Sequence, residues 1–177
     1  MSTSSDPIKE RLEWTVSNEF LPPYNHKKNS ELRILRAGVP PEPDILCKNV
    51  RSDELIGIEV ATAYYNADHA KAAWGPARGK NTEPWHHTRP DRQQNVQILA
   101  RALRIIRKKG KKQRTNYAVT GRLLLVVITY SIRFNLRAVR HRLAAIRMPK
   151  SHPFDEIYIM SNFGEIYCLF PARIWIL

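Results

Sequence analysis

Two acidic residues near the middle of the chain stand where a carboxylate is uncommon. Asp44 follows Pro43 in the segment PEPD and precedes the apolar run ILC, and Glu59 interrupts the apolar run IGIEVA. A buried carboxylate is costly unless it is paired, solvated in a cleft or bound to a cation. Two hard oxygen ligands that converge in a cleft are typical of a Mg²⁺ or Mn²⁺ site. The sequence therefore predicts a divalent-metal site that Asp44 and Glu59 share.

A β-hairpin is the element that would bring these two carboxylates together. The short apolar runs DILCKNV and ELIGIEVATAYY flank the turn-like RSD. Side chains alternate between the two faces of a strand, so Glu59 shares its face with the small residues Gly57 and Ala61, which leave room around it. Pairing of the two strands would set Asp44 beside Glu59.

The segment PEPD, followed by an apolar strand, a short turn and GIEVA, resembles the PD-(D/E)XK nuclease superfamily. Members of that superfamily place Pro-Asp on one core strand and Glu-x-Lys on the next. The resemblance covers about residues 28–130. It implies an α/β fold with a restriction-endonuclease-like αβββαβ core, in which a mixed sheet is flanked by helices. It also implies metal-dependent hydrolysis of phosphodiester bonds in DNA or RNA.

The resemblance implies roles for four residues of this sequence. Asp44, Glu59 and the Val60 carbonyl would hold Mg²⁺ or Mn²⁺, and Glu31, on a predicted helix before the aspartate, would assist directly or through water. Asp44, Glu59 and Glu31 would then be the catalytic residues. An ion in such a site polarises the phosphate and lowers the pKa of its bound water, which generates the nucleophile at neutral pH.

One position departs from the superfamily's pattern. Ala61 stands two residues after Glu59, where the superfamily carries a lysine that orients or activates the attacking water and stabilises charge on the phosphate. A methyl group can do neither. Either another cation has moved into the site, with Lys48, Arg101 and Lys108 as candidates, or the protein binds nucleic acid on the same fold without cleaving it.

The balance of charges favours a polyanionic partner. The chain has 29 Lys and Arg against 16 Asp and Glu, a formal net charge of +13. Such a surplus is typical of proteins that bind nucleic acid, with DNA favoured over RNA here. A protein-interaction module with this charge would need an acidic partner. The densest basic run, RKKGKKQR, supplies the predicted phosphate contacts: Lys108, Lys109, Lys111, Lys112 and Arg114.

Hydrophobic spacing places further elements around the hairpin. A first helix begins after Asp6 and ends at Pro22 and Pro23, and a second helix, NSELRILRAG, carries Glu31. A long amphipathic helix, DRQQNVQILARALRIIRKK, stops at Gly110, and RLLLVVITYS follows as a strand buried on both faces. A basic helix, NLRAVRHRLAAIR, and a closing hairpin around SNFG complete an α/β sandwich.

Length and composition bound the organisation of the chain. Its 177 residues fit a single nuclease-like domain, residues 1–177, with a long loop insertion at about 66–90. Two cysteines without zinc-site spacing predict a reduced, intracellular protein. No apolar run approaches the ~20 residues needed to cross a bilayer, and the N-terminus lacks a signal region. The sequence therefore predicts a cytoplasmic protein without a membrane partner and leaves the oligomeric state open.

Overall fold

The structure, a computed structural model, describes residues 6–64, 70, 92–129, 135–146, 151–161 and 164–171. The loop insertion predicted at about 66–90 lies outside these residues except for Ala70. Within the described ranges, no helix combines the length and the apolar character that a membrane crossing requires.

The described helices and strands are arranged around one sheet. The helices are α1 (Pro7–Lys28), α2 (Arg92–Gly110) and α3 (Leu136–Ala144), and a short 3₁₀ helix spans Arg114–Asn116. The strands are β1 (Leu32–Ala37), β2 (Ile45–Asn49), β3 (Leu55–Ala63), β4 (Arg122–Thr129), β5 (Glu156–Ser161) and β6 (Ile166–Phe170). The described elements follow the order α1, β1, β2, β3, α2, β4, α3, β5, β6.

The six strands form one mixed sheet whose spatial order follows the chain. β1, β2 and β3 pair antiparallel, β3, β4 and β5 pair parallel, and β5 and β6 form a closing hairpin. β4 lies inside the sheet and is buried from Leu123 to Thr129. The predicted hairpins, the long helix, the buried strand and a mixed sheet flanked by helices are therefore confirmed.

Helices cover both faces of the sheet, because apolar side chains point to both sides of its central strands. On one face α1 buries Val16, Phe20 and Tyr24 at helical spacing. On the other face α2 and α3 bury a second set, which includes Leu99 and Leu136. Each large apolar side chain that is fully buried contributes about 1.5–3 kcal/mol. These two layers fix the helices against the strands that carry the candidate site.

The prediction of a second helix at NSELRILRAG is wrong, because Leu32–Ala37 form β1. The spacing of Leu32 and Leu35 favours a helix, yet Leu35 is 52 % exposed. Leu32 and Ile34, two residues apart, instead point to the same face of the sheet and pack in the α1 layer. The Asn25 side chain fixes the turn into β1, since it accepts a hydrogen bond from the Leu32 N–H at 2.8 Å and donates one to the Leu32 carbonyl at 3.0 Å. A ten-residue helix is only marginally stable by itself, whereas pairing with β2 gives the backbone of this segment its hydrogen-bond partners.

The prediction that Pro22 and Pro23 end the first helix is also wrong, since α1 continues to Lys28. Proline removes the hydrogen bond to the carbonyl four residues earlier. Those carbonyls belong here to Asn18 and Glu19, two exposed residues at which water can take the place of the missing donors. The buried stripe of α1 extends past the prolines, and its packing outweighs their intrinsic cost of about 3 kcal/mol each.

A charged network ties α1 to the start of β4, on the α1 side of the sheet. The Arg122 guanidinium donates hydrogen bonds to both Glu54 carboxylate oxygens at 2.9 and 3.1 Å. It also contacts the Tyr24 hydroxyl at 3.2 Å and Glu156 at 3.3 Å. Lys28 lies 2.9 Å from the same buried Glu156 carboxylate. Each buried charge in this network therefore has a partner, which is the condition for tolerating it.

Gly121 lies immediately before β4, where the backbone leaves no room for a side chain. A Cβ at this position would lie 1.7 Å from the Leu55 carbonyl oxygen. We expect Gly121→Ala to lower the free energy of unfolding by about 1–3 kcal/mol or more, because the backbone must shift. Chemical denaturation measures this change. Gly110→Ala is the matched control, since its Cβ would meet its nearest neighbour at 3.6 Å; equal losses in both variants would contradict the prediction.

Candidate active site

β3 extends past the start of its antiparallel neighbour β2, and Asp44, which precedes β2, lies beside this unpaired part of β3. The last pair of the ladder joins Ile45 to Ile58, and β3 continues past it. Extending the register by one residue sets Asp44 opposite Glu59. The Asp44 Oδ2 accepts a hydrogen bond from the Val60 N–H at 2.9 Å. Asp44 and Glu59 are thus opposite neighbours where β3 extends past β2, and the Asp44 side chain reaches the Val60 backbone there.

Val60 presents a backbone oxygen at this same edge. The N–H and the C=O of one strand residue point to the same side of the strand. Since the Val60 N–H points to Asp44, its carbonyl also faces the edge that β2 leaves open. The three predicted metal ligands, namely the Asp44 and Glu59 carboxylates and the Val60 carbonyl, therefore lie at one end of β2.

The sequence predicts room around Glu59 at both Gly57 and Ala61, and the structure shows open space beside Ala61 alone of these two. Ile58 and Val60 point into the α1 layer, so the predicted alternation is confirmed and Glu59 lies on the opposite face. The room at Gly57 is filled, because a Cβ there would lie 2.4 Å from the Pro43 Cγ. Ala61, on the other side of Glu59, lines a cleft. Only one of the two small neighbours thus leaves open space.

Glu59 is a buried carboxylate with cationic partners. It is 5 % exposed, and its Oε1 accepts a short hydrogen bond from the Lys109 ammonium on α2. The Lys112 ammonium lies 3.9 Å from the same oxygen and 5.3 Å from the centre of the Tyr117 ring. Burial, followed by the nearby Glu59 and Asp44 carboxylates, raises the pKa of Tyr117 well above its ordinary value. The cations offset the cost of burying Glu59.

A third carboxylate reaches Asp44 from α1. Glu13 is 7 % exposed and belongs to the buried stripe of that helix. The Lys9 ammonium bridges the two acids, 2.5 Å from the Glu13 Oε1 and 3.2 Å from the Asp44 Oδ1. Burial and then the Asp44 charge raise the pKa of Glu13 to about 7, while Lys9 acts in the opposite direction. Glu13 therefore binds its proton more strongly than an ordinary glutamate does.

Glu31 lies away from this site, which corrects its predicted place on a helix. It precedes β1, where its carbonyl accepts a hydrogen bond from the Val50 N–H at 2.9 Å. Its carboxylate lies 2.5 Å from Arg33 and 3.9 Å from Arg51. Asp44 lies at the other end of β2, about 20 Å away at the rise of a strand. The structure therefore does not bring the Glu31 carboxylate to the site.

Sequence reasoning missed Glu13 and the contact between Lys109 and Glu59. A signal for Glu13 was present, because it falls three and seven residues before the buried Val16 and Phe20 on the α1 stripe. A carboxylate on an apolar stripe is the same anomaly that singled out Glu59. The contact made by Lys109 crosses 50 positions of sequence and depends on how α2 docks, so no local pattern indicates it.

Of the three candidates for the missing lysine, the described contacts bring none to Glu59. Lys48 lies 2.5 Å from Asp53 in the turn between β2 and β3. Lys108 is exposed and Arg101 is half-buried on α2. The ammonium that does reach Glu59 comes from Lys109, which the sequence assigns to phosphate contact.

The basic run RKKGKKQR forms a cavity beside the carboxylates. This cavity has a volume of ≈ 710 Å³, and its walls include Arg107, Lys111 and Lys112. Lys108 and Lys111 are exposed, while Lys109 and Lys112 turn toward Glu59. Lys112 thus belongs both to the cavity wall and to the surroundings of Glu59, so the basic surface adjoins the acidic site.

Arg114 is a brace within the fold rather than an exposed cation of this surface. Its Nη1 donates hydrogen bonds to the Pro153 carbonyl at 2.6 Å and to the Asp155 carboxylate at 2.9 Å. Its Nη2 donates to the Gly121 carbonyl. These bonds fasten the 3₁₀ helix to the strand starts of β4 and β5, which engages the donors that a phosphate would use.

A small cleft adjoins the acids, and of Glu13, Asp44 and Glu59 it is Glu13 that lines it. Its volume is ≈ 290 Å³, and Lys9, Glu13, Val60, Ala61 and Lys109 are among its lining residues. Small-molecule pockets span about 300–1,000 Å³, so this cleft suits an ion with its waters or a single phosphate group. Within the part of the chain that the structure describes, no three His, Cys, Asp or Glu side chains form a metal-binding group. Mg²⁺ is commonly held by one or two carboxylates plus substrate phosphate, and the donors present fit that pattern.

The raised pKa of Glu13 gives the stability of the fold a pH dependence. A free glutamate releases its proton near pH 4.5, whereas folded Glu13 keeps it up to about pH 7. Between these values the folded state binds more protons than the unfolded state, so the free energy of unfolding falls as the pH rises. Glu13→Gln removes this titration. We expect the variant to gain on the order of 1–2 kcal/mol over wild type between about pH 5 and pH 8, with solvent screening discounted.

Urea denaturation of wild type and Glu13→Gln across this pH range measures the difference. Glu19→Gln, which removes an exposed carboxylate of the same helix, should follow the wild-type pH dependence. Parallel curves for Glu13→Gln and wild type would show that Glu13 is ionised throughout.

Comparison with known proteins gives no relative for this chain. No protein-family model matches it, and neither a curated protein nor a solved structure does. Its chemistry is therefore inferred from its own residues and their geometry.

Proposed function

We propose that this protein is a metal-dependent nuclease that hydrolyses phosphodiester bonds in nucleic acid, DNA in preference to RNA, with Mg²⁺ or Mn²⁺. The observation that carries the proposal is the placement of Asp44 opposite Glu59 where β3 extends past β2, with the Asp44 carboxylate bonded to the Val60 N–H. A restriction-endonuclease-like core is part of the proposal. Its support is the element order α1, β1, β2, β3, α2, β4, which matches the αβββαβ order of the PD-(D/E)XK superfamily.

Glu13 takes the accessory role that the sequence assigns to Glu31. Many members of the superfamily carry an accessory glutamate on a helix before the aspartate, and Glu13 lies on α1 against Asp44. Its pKa of about 7 lets it accept or release a proton at neutral pH. That property suits a residue that orients a water molecule by hydrogen bonding.

The reaction is hydrolysis without any redox change. The oxygen of water bonds to phosphorus and one ester P–O bond breaks; the departing oxygen takes up a proton, and the second proton of the water passes to solvent. An ion held by Asp44, Glu59 and the Val60 carbonyl would supply charge neutralisation and a lowered pKa of bound water. Two contacts support this ligand set, because the Val60 N–H orients the Asp44 carboxylate and the register of β2 with β3 sets Glu59 opposite Asp44.

The basic cavity next to the carboxylates supports a polynucleotide substrate. Arg107, Lys111 and Lys112 line a volume of ≈ 710 Å³, large enough for several phosphate and sugar groups. The carboxylate cleft of ≈ 290 Å³ accommodates only one phosphate. A strand that places one phosphate in the cleft would therefore place its neighbours against the cations, which is the arrangement that backbone recognition requires.

Ala61 favours a second candidate function. Without the superfamily's lysine at that position, the protein would bind nucleic acid on the same basic surface and leave it uncut. Both candidates share salt-sensitive binding, and only the first includes divalent-dependent cleavage.

Removing either acid should abolish cleavage while the fold survives. We expect Asp44→Asn and Glu59→Gln each to reduce Mg²⁺- or Mn²⁺-dependent cleavage by more than about 100-fold, because even the hydrogen-bond partners of metal ligands are worth about 10- to 100-fold. Single- and double-stranded DNA and RNA are the substrates, and circular dichroism verifies folding. Glu31→Gln is the matched acidic control and should cleave like wild type. Full activity in the Asp44 or Glu59 variant would remove the assignment, and no cleavage by wild type would leave the binding function.

Charge on the basic surface should set the salt dependence of binding. Each phosphate contact contributes about 0.9 to the slope of log K against log salt concentration. We expect Lys108→Gln/Lys111→Gln to reduce that slope by about 2, as measured by fluorescence anisotropy with a labelled duplex. Lys48→Gln, which removes a lysine paired with Asp53, should leave the slope unchanged. A slope that is the same in the double variant and in wild type would place the nucleic acid elsewhere.

A further inference from the structure

The cleft contains an ammonium group opposite the position where the superfamily's lysine is missing. We propose that Lys109, at the end of α2, performs the task that a lysine at position 61 would perform: orienting the attacking water and stabilising charge on the phosphate. This inference rests on the proposed nuclease function and names a further catalytic residue for it.

Lys109 and Ala61 both line the ≈ 290 Å³ cleft. Glu59 and Ala61 are two residues apart on β3, so their side chains leave the same face of the strand. Lys109 approaches that face from α2 and contacts the Glu59 Oε1. A side chain from the helix therefore delivers its charge to the place that a longer side chain at position 61 would occupy.

The other ammonium groups near the acids are less suited to this task. Lys112 lies 3.9 Å from Glu59, and its side chain is 47 % exposed, against 26 % for Lys109. Lys112 also lies over the Tyr117 ring and lines the neighbouring basic cavity. Lys9 approaches from α1, where Glu13 and Asp44 hold it. Lys109 alone among these three both lines the cleft with Ala61 and contacts Glu59.

Lys109 keeps donors for a ligand while it is paired. An ammonium group has three N–H donors, and the bond to Glu59 uses one of them. The remaining donors belong to a side chain that lines the cleft, where water or a phosphate oxygen would lie. A fixed cation aimed at developing charge in such a site is typically worth about 10²- to 10³-fold in rate.

The decisive experiment moves the lysine back to β3. We expect Lys109→Met to lower divalent-dependent cleavage by about 100-fold, and Ala61→Lys/Lys109→Met to recover at least about 10-fold of that loss. Lys48→Met, far from the cleft, is the control for a lost lysine and should cleave like wild type. Thermal unfolding verifies that each variant is folded.

Metal binding provides a readout independent of cleavage. Mn²⁺ titration followed by electron paramagnetic resonance should show that Lys109→Met binds Mn²⁺ at least as tightly as wild type, because an ammonium no longer competes for the Glu59 oxygens. Loss of Mn²⁺ binding in Lys109→Met would mean that Lys109 merely maintains the shape of the site, which overturns the inference.

The outcomes separate this inference from the proposed function. If wild type cleaves and Lys109→Met cleaves equally well, or if the loss falls on Lys112→Met instead, the role of Lys109 is wrong and the nuclease remains. If wild type is inactive and Ala61→Lys/Lys109→Met cleaves, the proposed metal site stands, but Lys109 does not replace the lysine that position 61 lacks. If no variant cleaves any substrate, both proposals fail.

Discussion

The late start of β2, at Ile45, is the constraint on which the candidate site depends. Had β2 begun earlier, its backbone would have faced Val60 and closed this edge of β3. Instead a carboxylate, that of Asp44, accepts the Val60 N–H at 2.9 Å. An open strand edge is normally an aggregation hazard that a protein must cover. Here the Asp44 carboxylate takes the Val60 N–H, and a cleft that residues of α1, β3 and α2 line lies beside it.

The acids around this cleft are paired with ammonium groups. The buried or half-buried acids Glu13, Asp44 and Glu59 face the ammonium groups of Lys9 and Lys109. Such ion pairs offset the free-energy cost of burying carboxylates. The resulting arrangement differs from the Arg122 network at the start of β4, where hydrogen bonds on several sides hold the charges. Glu13 differs from the acids of that network in that it lines an open cleft.

Much of the fold follows from local pattern, and the rest depends on packing. The hairpin of β2 and β3, the long α2 and the buried β4 each carry a strong period or turn signal, and all are present. The sequence pattern favours a helix at β1 because β1 is a short edge strand, where one exposed residue, Leu35, imitates helical spacing. The pairing of Asp44 with Glu59 could be predicted from hairpin register. The approach of Glu13 and Lys109 could not, because it depends on how two helices dock on opposite faces of the sheet.

The contact between Pro43 and Gly57 has a consequence for any ligand of the cleft. The proline ring packs so closely on β3 that a single added carbon at Gly57 would lie 2.4 Å from it. The backbone leading into Asp44 is thereby immobilised during folding, and proline has already restricted its own φ angle. The conformational entropy of ordering this carboxylate is lost when the chain folds and not when a ligand arrives. A ligand of Asp44 would therefore meet a carboxylate that is already ordered, and little further conformational entropy would be lost on binding.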